Sequence, residues 1–189
     1  MTLFYSFYDY KKGEKNRTAE RNCRDFLLSH ALRFAGLPEN VELKTGPYGK
    51  PYLPDSEYYF NISHSRGMAC ICIGKAENAV DCELIKPRKF DISSQICSEE
   101  EKGFLSSSAD YERDFYTMWT YKECFAKLTG KGLSYPLKSV NSLASDVSCN
   151  GIPVSVHRFE LENAAGSFSV CCMEYGQTSE LSLVEVNLT

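Results

Sequence analysis

Two passes through the same order, a β-like run, then an amphipathic helix, then further β-like runs, constrain this chain more than any single motif in it. The first pass opens with an aromatic run over residues 3–8. From Arg17 to Ala35 the apolar residues Cys23, Phe26, Leu27, Ala31 and Phe34 recur at helical spacing, and Gly36 and Pro38 end the helix. A loop rich in Gly, Pro and Tyr covers 45–59. Two short strands follow at about 68–73 and 79–84, with Gly74 to Asn78 read as their hairpin loop. After the linker Lys86-Pro87-Arg88, the second pass begins at Ser98-Glu99-Glu100-Glu101, whose acids suit a helix N-terminus. A longer helix runs from Tyr111 to Thr129 and stops at Gly130. Strands are expected at about 154–162, 166–175 and 181–188. There is no literal sequence repeat, yet the order predicts an α+β fold: two similar α/β halves with antiparallel sheets, divided into 1–85 and 86–189.

The formal net charge is −4, so bulk charge argues for neither nucleic acid nor an anionic membrane as partner. No apolar run is long enough to span a bilayer, and the first residues read as a strand rather than a signal peptide. The nine cysteines are odd in number, irregularly spaced and set in apolar stretches such as Ala69-Cys70-Ile71-Cys72-Ile73, with no Cys-x-x-Cys pair. They read as buried reduced thiols of a cytoplasmic protein. An internally doubled fold needs no second subunit, so a monomer is expected.

Three short constellations can carry chemistry. In Val80-Asp81-Cys82-Glu83 the two acids stand at i and i+2 of a strand and so share a face. Adjacent like charges suit a hard cation such as magnesium, which takes carboxylate oxygens and substrate phosphates. Taken alone, two solvated acids at a strand end account for the pattern as well. In Trp119 to Leu133, the residues Trp119, Glu123 and Lys127 fall at i, i+4 and i+8 on one helical face. A surface salt bridge is the ordinary explanation, but it leaves the only tryptophan on the same stripe unexplained. The third is Phe60-Asn61-Ile62-Ser63-His64-Ser65, preceded by Gly49-Lys50-Pro51, whose side chains suit phosphate. A hydrolase reading of Ser63 and His64 fails, because neighbours on a strand point apart and no Gly-x-Ser-x-Gly elbow is present.

Taken in order and spacing from about Gly49 to Leu137, these stretches resemble the signature motifs of Sfp-type 4′-phosphopantetheinyl transferases. The resemblance implies a pseudo-dimer of two α/β halves with coenzyme A between them. It implies that Asp81, Glu83 and Glu123 hold Mg²⁺ and that Lys127 neutralises charge on the phosphates, with Glu123 and Lys127 as catalytic residues. Lys50, Ser63 and His64 match phosphate-binding positions, and Arg17-Thr18 a pair near the nucleotide. Glu101 matches an acidic position common between the motifs. Cys82 and Cys124 stand where aliphatic or small residues are usual, and the segment before Arg17 is short, leaving only Lys11 and Lys12 as its basic residues.

The expected reaction moves the phosphopantetheine arm of coenzyme A to a serine of an apo acyl or peptidyl carrier protein, releasing 3′,5′-ADP. Gly130 to Pro136 is expected to dock that carrier, through Lys131, Leu133 and Tyr135. A non-catalytic regulator that binds coenzyme A or carriers, and a metal-dependent phosphohydrolase, are the competing readings.

Overall fold

The computed structural model describes residues 1–10, 17–177 and 180–188. In chain order the strands are β1 (Thr2–Phe7), β2 (Lys44–Thr45), β3 (Pro51–Tyr52), β4 (Tyr59–Ser65), β5 (Met68–Gly74), β6 (Asn78–Leu84), β7 (Ser148–Cys149), β8 (Ile152–Asn163), β9 (Gly166–Tyr175) and β10 (Ser182–Glu185). The helices are α1 (Arg17–Phe34), α2 (Ser93–Ile96), α3 (Glu99–Ser106) and α4 (Tyr111–Leu128). Two four-stranded sheets result, in the orders β10-β1-β5-β4 and β6-β9-β8-β7. Each carries one 18-residue helix, α1 on the first and α4 on the second.

Strand alternation builds the layers. On β5, Ala69, Ile71 and Ile73 pack toward Leu27 and Ala31 of α1, while Met68, Cys70 and Cys72 face the second sheet. There they meet Val80 and Cys82 of β6 and Phe168, Val170 and Cys172 of β9. The opposite face of β6 and β9, with Ala79, Cys171 and Met173, packs on Tyr121, Cys124 and Leu128 of α4. The order is therefore helix, sheet, sheet, helix: a mixed α+β fold of two similar halves. All ladders in the two sheets are antiparallel except β1 with β10, which is parallel. All nine cysteines are buried and unpaired.

The structure corrects three expectations about the elements. Residues 59–65 form a full strand, paired along its length with β5 through the two-residue turn Arg66-Gly67. Both turn residues have positive φ, 23° and 110°, as tight hairpin turns of right-handed twist require. Gly74 to Asn78 is not a hairpin loop, because both edges of β5 are already taken by β1 and β4. The chain instead crosses to the other sheet, where β6 pairs with β9. A Cβ at Gly74 would stand 2.7 Å from Glu174 Oε1, so the end of that side chain would have to shift to admit one. Asn78 pins the crossing by donating to the carbonyls of Tyr59 and Ala76 and accepting from Cys72 Sγ. Third, the expected division at residue 85 is not the division of the sheets. β6 lies before it and joins the second sheet, while β10 lies after it and joins the first.

Where the sheets meet, β4 and β6 run side by side and in the same direction without a backbone ladder. Side chains of β4 take its place. Asn61 Oδ1 accepts from Val80 N at 3.1 Å, Ser63 Oγ from Cys82 N at 3.3 Å and Ser65 Oγ from Leu84 N at 3.2 Å. Polar residues at every second position of β4 thus satisfy the edge amides of β6. This seam positions the site.

Candidate active site

The seam brings Ser63, Asp81, Glu83, Glu123 and Lys127 together. Lys127, near the C-terminus of α4, donates to Asp81 Oδ1 at 2.7 Å, to Ser63 Oγ at 3.0 Å and to the carbonyl of Val80 at 3.1 Å. Ser63 donates its own hydrogen to Asp81 Oδ1 at 2.9 Å. With the amide of Cys82 its one donor and two acceptor positions are then all taken within the seam. Ser65, for which the motifs suggested no separate role, donates to Glu83 Oε2 at 2.6 Å. Its period-two spacing from Asn61 and Ser63 was the signal for a strand that bonds through side chains.

Electrostatics at the site are dominated by burial. Glu123 is only 8% exposed. Loss of water, and secondarily the charge of Asp81, raises its carboxyl to about 7. Burial also raises Glu83, against the opposing bond from Ser65. Burial would push Lys127 down, but the adjacent Asp81 carboxylate overrides it and holds the ammonium above its usual range. Two buried oxygens, Asp81 Oδ2 and Glu123 Oε1, have no hydrogen-bond partner among the described residues.

The pH consequence of Glu123 has a definite sign. Between the unfolded value of 4.5 and the folded value of about 7 the native state holds a proton that the unfolded chain has released. Stability therefore falls as pH rises through that window, and the loss is complete above it. Glu123→Gln is expected to leave stability unchanged below pH 4.5. Above pH 7 it should raise the stability of the metal-free protein by up to about 3 kcal/mol. Thermal melts at both ends, with chelator present, check this. A variant no more stable than the parent at pH 8 would show that Glu123 carries no such burden.

The remaining expected residues fall around this cluster. Lys50 reaches Glu77 Oε1 at 3.3 Å and the carbonyl of Asn78 at 3.2 Å. With Lys127, Asn61, Gly130 and Gly132 it lines a cavity of about 210 Å³. A neighbouring cavity of about 520 Å³, sharing Tyr48, Lys50, Pro51 and Gly130, continues it past Tyr58 and Lys131. The largest cavity described, about 830 Å³ beside β7 and β8, contains none of the candidate residues. His64 faces away from the seam to Glu20 of α1 at 3.3 Å, and burial lowers its pKa despite that carboxylate. Arg17 and Thr18 are exposed on the first turn of α1, three and two residues before Glu20. Lys11 and Lys12 lie outside the described residues.

Other expectations change. Trp119 stacks on Phe115, with ring centroids 6.4 Å apart, as part of the cluster around α2 and α3 rather than at the acids. Tyr135, expected to reach a partner, packs edge-on against Phe125 at 5.6 Å. Lys131 is exposed, and the side chain of Leu133 lies outside the described part of the structure. Glu101 is fully buried. It closes a capping box with Ser98, accepts from Ser142 and pairs with Lys122 at 2.9 Å. It is a structural acid, remote from the seam's hydrogen bonds.

The donor set suits a hard cation: oxygens only, two of them buried and unpartnered, three acids whose mutual repulsion a positive ion would relieve. Among the described residues, however, no three His, Cys, Asp or Glu side chains converge closely enough to hold an ion as they stand. Lys127 occupies Asp81 in their place.

Residues 78–171, which include every residue of the acidic cluster, match the family described as the 4′-phosphopantetheinyl transferase superfamily. The chain belongs to that superfamily. Within it, the chain is 37% identical over 148 residues to 4′-phosphopantetheinyl transferase Sfp of Bacillus subtilis (strain 168), covering 72% of this chain and 66% of that protein. A second Bacillus subtilis 4′-phosphopantetheinyl transferase is 35% identical over 142 residues, with 72% and 62% covered. The 4′-phosphopantetheinyl transferase gsp of Aneurinibacillus migulanus is 26% identical over 192 residues, with 98% and 79% covered. The chain thus spans a little under two thirds of the two Bacillus subtilis relatives.

Proposed function

We propose that this chain transfers the 4′-phosphopantetheine arm of coenzyme A to the serine of an apo carrier protein, with Mg²⁺, releasing 3′,5′-ADP. The observation that carries the proposal is the meeting of Asp81, Glu83, Glu123 and Lys127, the last of which also lines the cavity that holds Lys50. Asp81, Glu83 and Glu123 are the residues to hold Mg²⁺, which when bound supplies positive charge to the pyrophosphate. The carrier serine Oγ forms a bond to the β-phosphorus, and the bond to the bridging oxygen breaks, 3′,5′-ADP leaving with the electron pair. Lys127 meets the negative charge that grows on the phosphate oxygens. We assign the serine proton to Glu123, directly or through a water, since it shares a face of α4 with Lys127. Lys50, His64, Arg17 and Thr18 are assigned to coenzyme A, with His64 at the 3′-phosphate.

The enzyme is placed in the cytoplasm as a monomer. Nine buried thiols without a disulfide suit a reducing compartment. Incubation with coenzyme A, Mg²⁺ and a panel of apo carriers, read by intact mass, tests the function. A gain of one phosphopantetheine supports transfer, no gain on any carrier supports a regulator, and loss from a holo carrier supports a hydrolase.

Docking of the carrier is assigned to the segment from Gly130, because Gly130, Lys131 and Gly132 border the cavities beside Lys127. With Tyr135 occupied by Phe125, Lys131 is its available cation. Lys131→Glu is expected to raise the KM for an acidic carrier several-fold, an effect that fades with added salt, while the KM for coenzyme A holds. An equal loss for both substrates would remove the segment from the docking surface.

A further inference from the structure

The seam does more than join two sheets. Each hydroxyl on it has one hydrogen, and each already accepts a backbone amide of β6, Ser63 from Cys82 and Ser65 from Leu84. The single hydrogen of each then goes to the group just before that amide on β6. That group is Asp81 for Ser63 and Glu83 for Ser65, at 2.9 and 2.6 Å. A hydroxyl of this kind holds one oxygen of its acid as an acceptor and stops the carboxylate from turning. For Asp81 the result is visible, because its other oxygen is buried and has no protein partner.

We propose that Ser65 is a positioning residue for Glu83, and that the β4–β6 seam sets how tightly the acidic cluster holds a divalent cation. The proposal rests on the reading that Asp81 and Glu83 hold that cation. Glu83 needs such a partner more than Asp81 does. Asp81 is fixed by Lys127 as well as by Ser63, whereas Ser65 is the hydrogen-bond donor the structure gives to Glu83. Ser65 is itself buried, at 7% exposure, so water is poorly placed to replace it. Its role is to hold a ligand rather than to touch substrate, and partners of this kind are worth about 10- to 100-fold in metal affinity.

The test is Mn²⁺ binding to the full chain, followed by the electron-spin signal of the free ion, with coenzyme A present and no carrier. Ser65→Ala is expected to weaken Mn²⁺ binding by about 10-fold or more, and Ser65→Thr, which keeps the hydroxyl, to restore most of it. In transfer assays Ser65→Ala should raise the Mg²⁺ concentration needed for half-maximal rate while kcat at saturating Mg²⁺ stays near that of the parent. A merely structural serine would instead lower the melting temperature and leave the ion requirement alone. Should Ser65→Ala fail to fold, Ser65→Cys keeps the shape with a poorer donor and is expected to weaken binding in the same direction. Glu83→Gln separates the two layers of the argument. If it abolishes Mn²⁺ binding while Ser65→Ala and Ser65→Cys bind as the parent does, the positioning role falls and the cation reading stands. If Glu83→Gln binds Mn²⁺ like the parent, the cation reading falls and takes the positioning role with it.

Discussion

Lys122→Met is expected to lower the unfolding free energy by about 3–5 kcal/mol, the usual cost of removing one partner of a fully buried ion pair. Lys122 and Glu101 are both 0% exposed and stand 2.9 Å apart. The ammonium also donates to the carbonyls of Leu137 and Val140, so the substitution strands two acceptors along with the carboxylate. Glu101 in turn holds Ser142 N at 2.8 Å and caps α3 through Ser98 N at 2.8 Å. The pair therefore ties α3 and residues 137–142 to the helix that carries Glu123 and Lys127. Burial alone would raise the Glu101 carboxyl, but its bonds to Ser142 and Lys122 bring it below the ordinary value. Urea denaturation of parent and variant measures the loss. The double variant Lys122→Met with Glu101→Gln removes the stranded charge and should recover part of it. A single-variant loss under about 1 kcal/mol would mean that the pair is relieved by water or by rearrangement.

The other large effect concerns the acids. Asp81→Asn, Glu83→Gln and Glu123→Gln should each reduce phosphopantetheine transfer by a factor on the order of a thousand, since each leaves the shape and removes a charge. If all three serve one cation, double variants will be little worse than singles. Stability separates them where activity does not. Glu123→Gln removes a buried carboxylate that burial disfavours, so the metal-free protein should gain stability above pH 7 as it loses activity. Asp81→Asn deprives Lys127 of its 2.7 Å partner and should lose both. Retention of most transfer by any one variant at saturating Mg²⁺ would strike that residue from the set.

What was legible in the sequence was whatever a single element decides. The i, i+2 spacing of Asp81 and Glu83 put them on one face of β6, and the i, i+4 spacing of Glu123 and Lys127 put them on one face of α4. The apolar spacing over 17–35 located α1 closely. What escaped was decided across the chain. Residues 59–65 fall between the expected loop at 45–59 and the expected strand at 68–73, and nothing local says that the partners of Asn61, Ser63 and Ser65 are amides 19 positions later. The interval Gly74 to Asn78 has the residues of a hairpin loop, but β1 had already claimed the edge of β5. Lys122 sits next to Glu123 in the motif, yet a helix turns about 100° per residue, and the two side chains serve different parts of the molecule. The carrier face was legible least, because Tyr135 was read from its type, while the space left beside Phe125 determined where it went.

The exchange of strands across residue 85 also bears on how such a chain is made. β1 is synthesised about 180 residues before its parallel partner β10. β6 likewise leaves the ribosome well before β9, the strand that pairs along its whole length. Neither sheet can close on the growing chain until most of it has emerged. Pairings this distant in sequence make folding slow for the size of the domain. In the interval β5 has α1 on one face and β1 and β4 at its edges, but the face of Met68, Cys70 and Cys72 lacks its cover from β9, and it is the stretch for which a holding chaperone would compete. For the same reason a cut in the linker at 86–88 would yield two fragments, each lacking one strand of its own sheet and carrying one strand of the other's. Such pieces are built to find each other, which makes this linker a natural place to split the protein for reconstitution on demand.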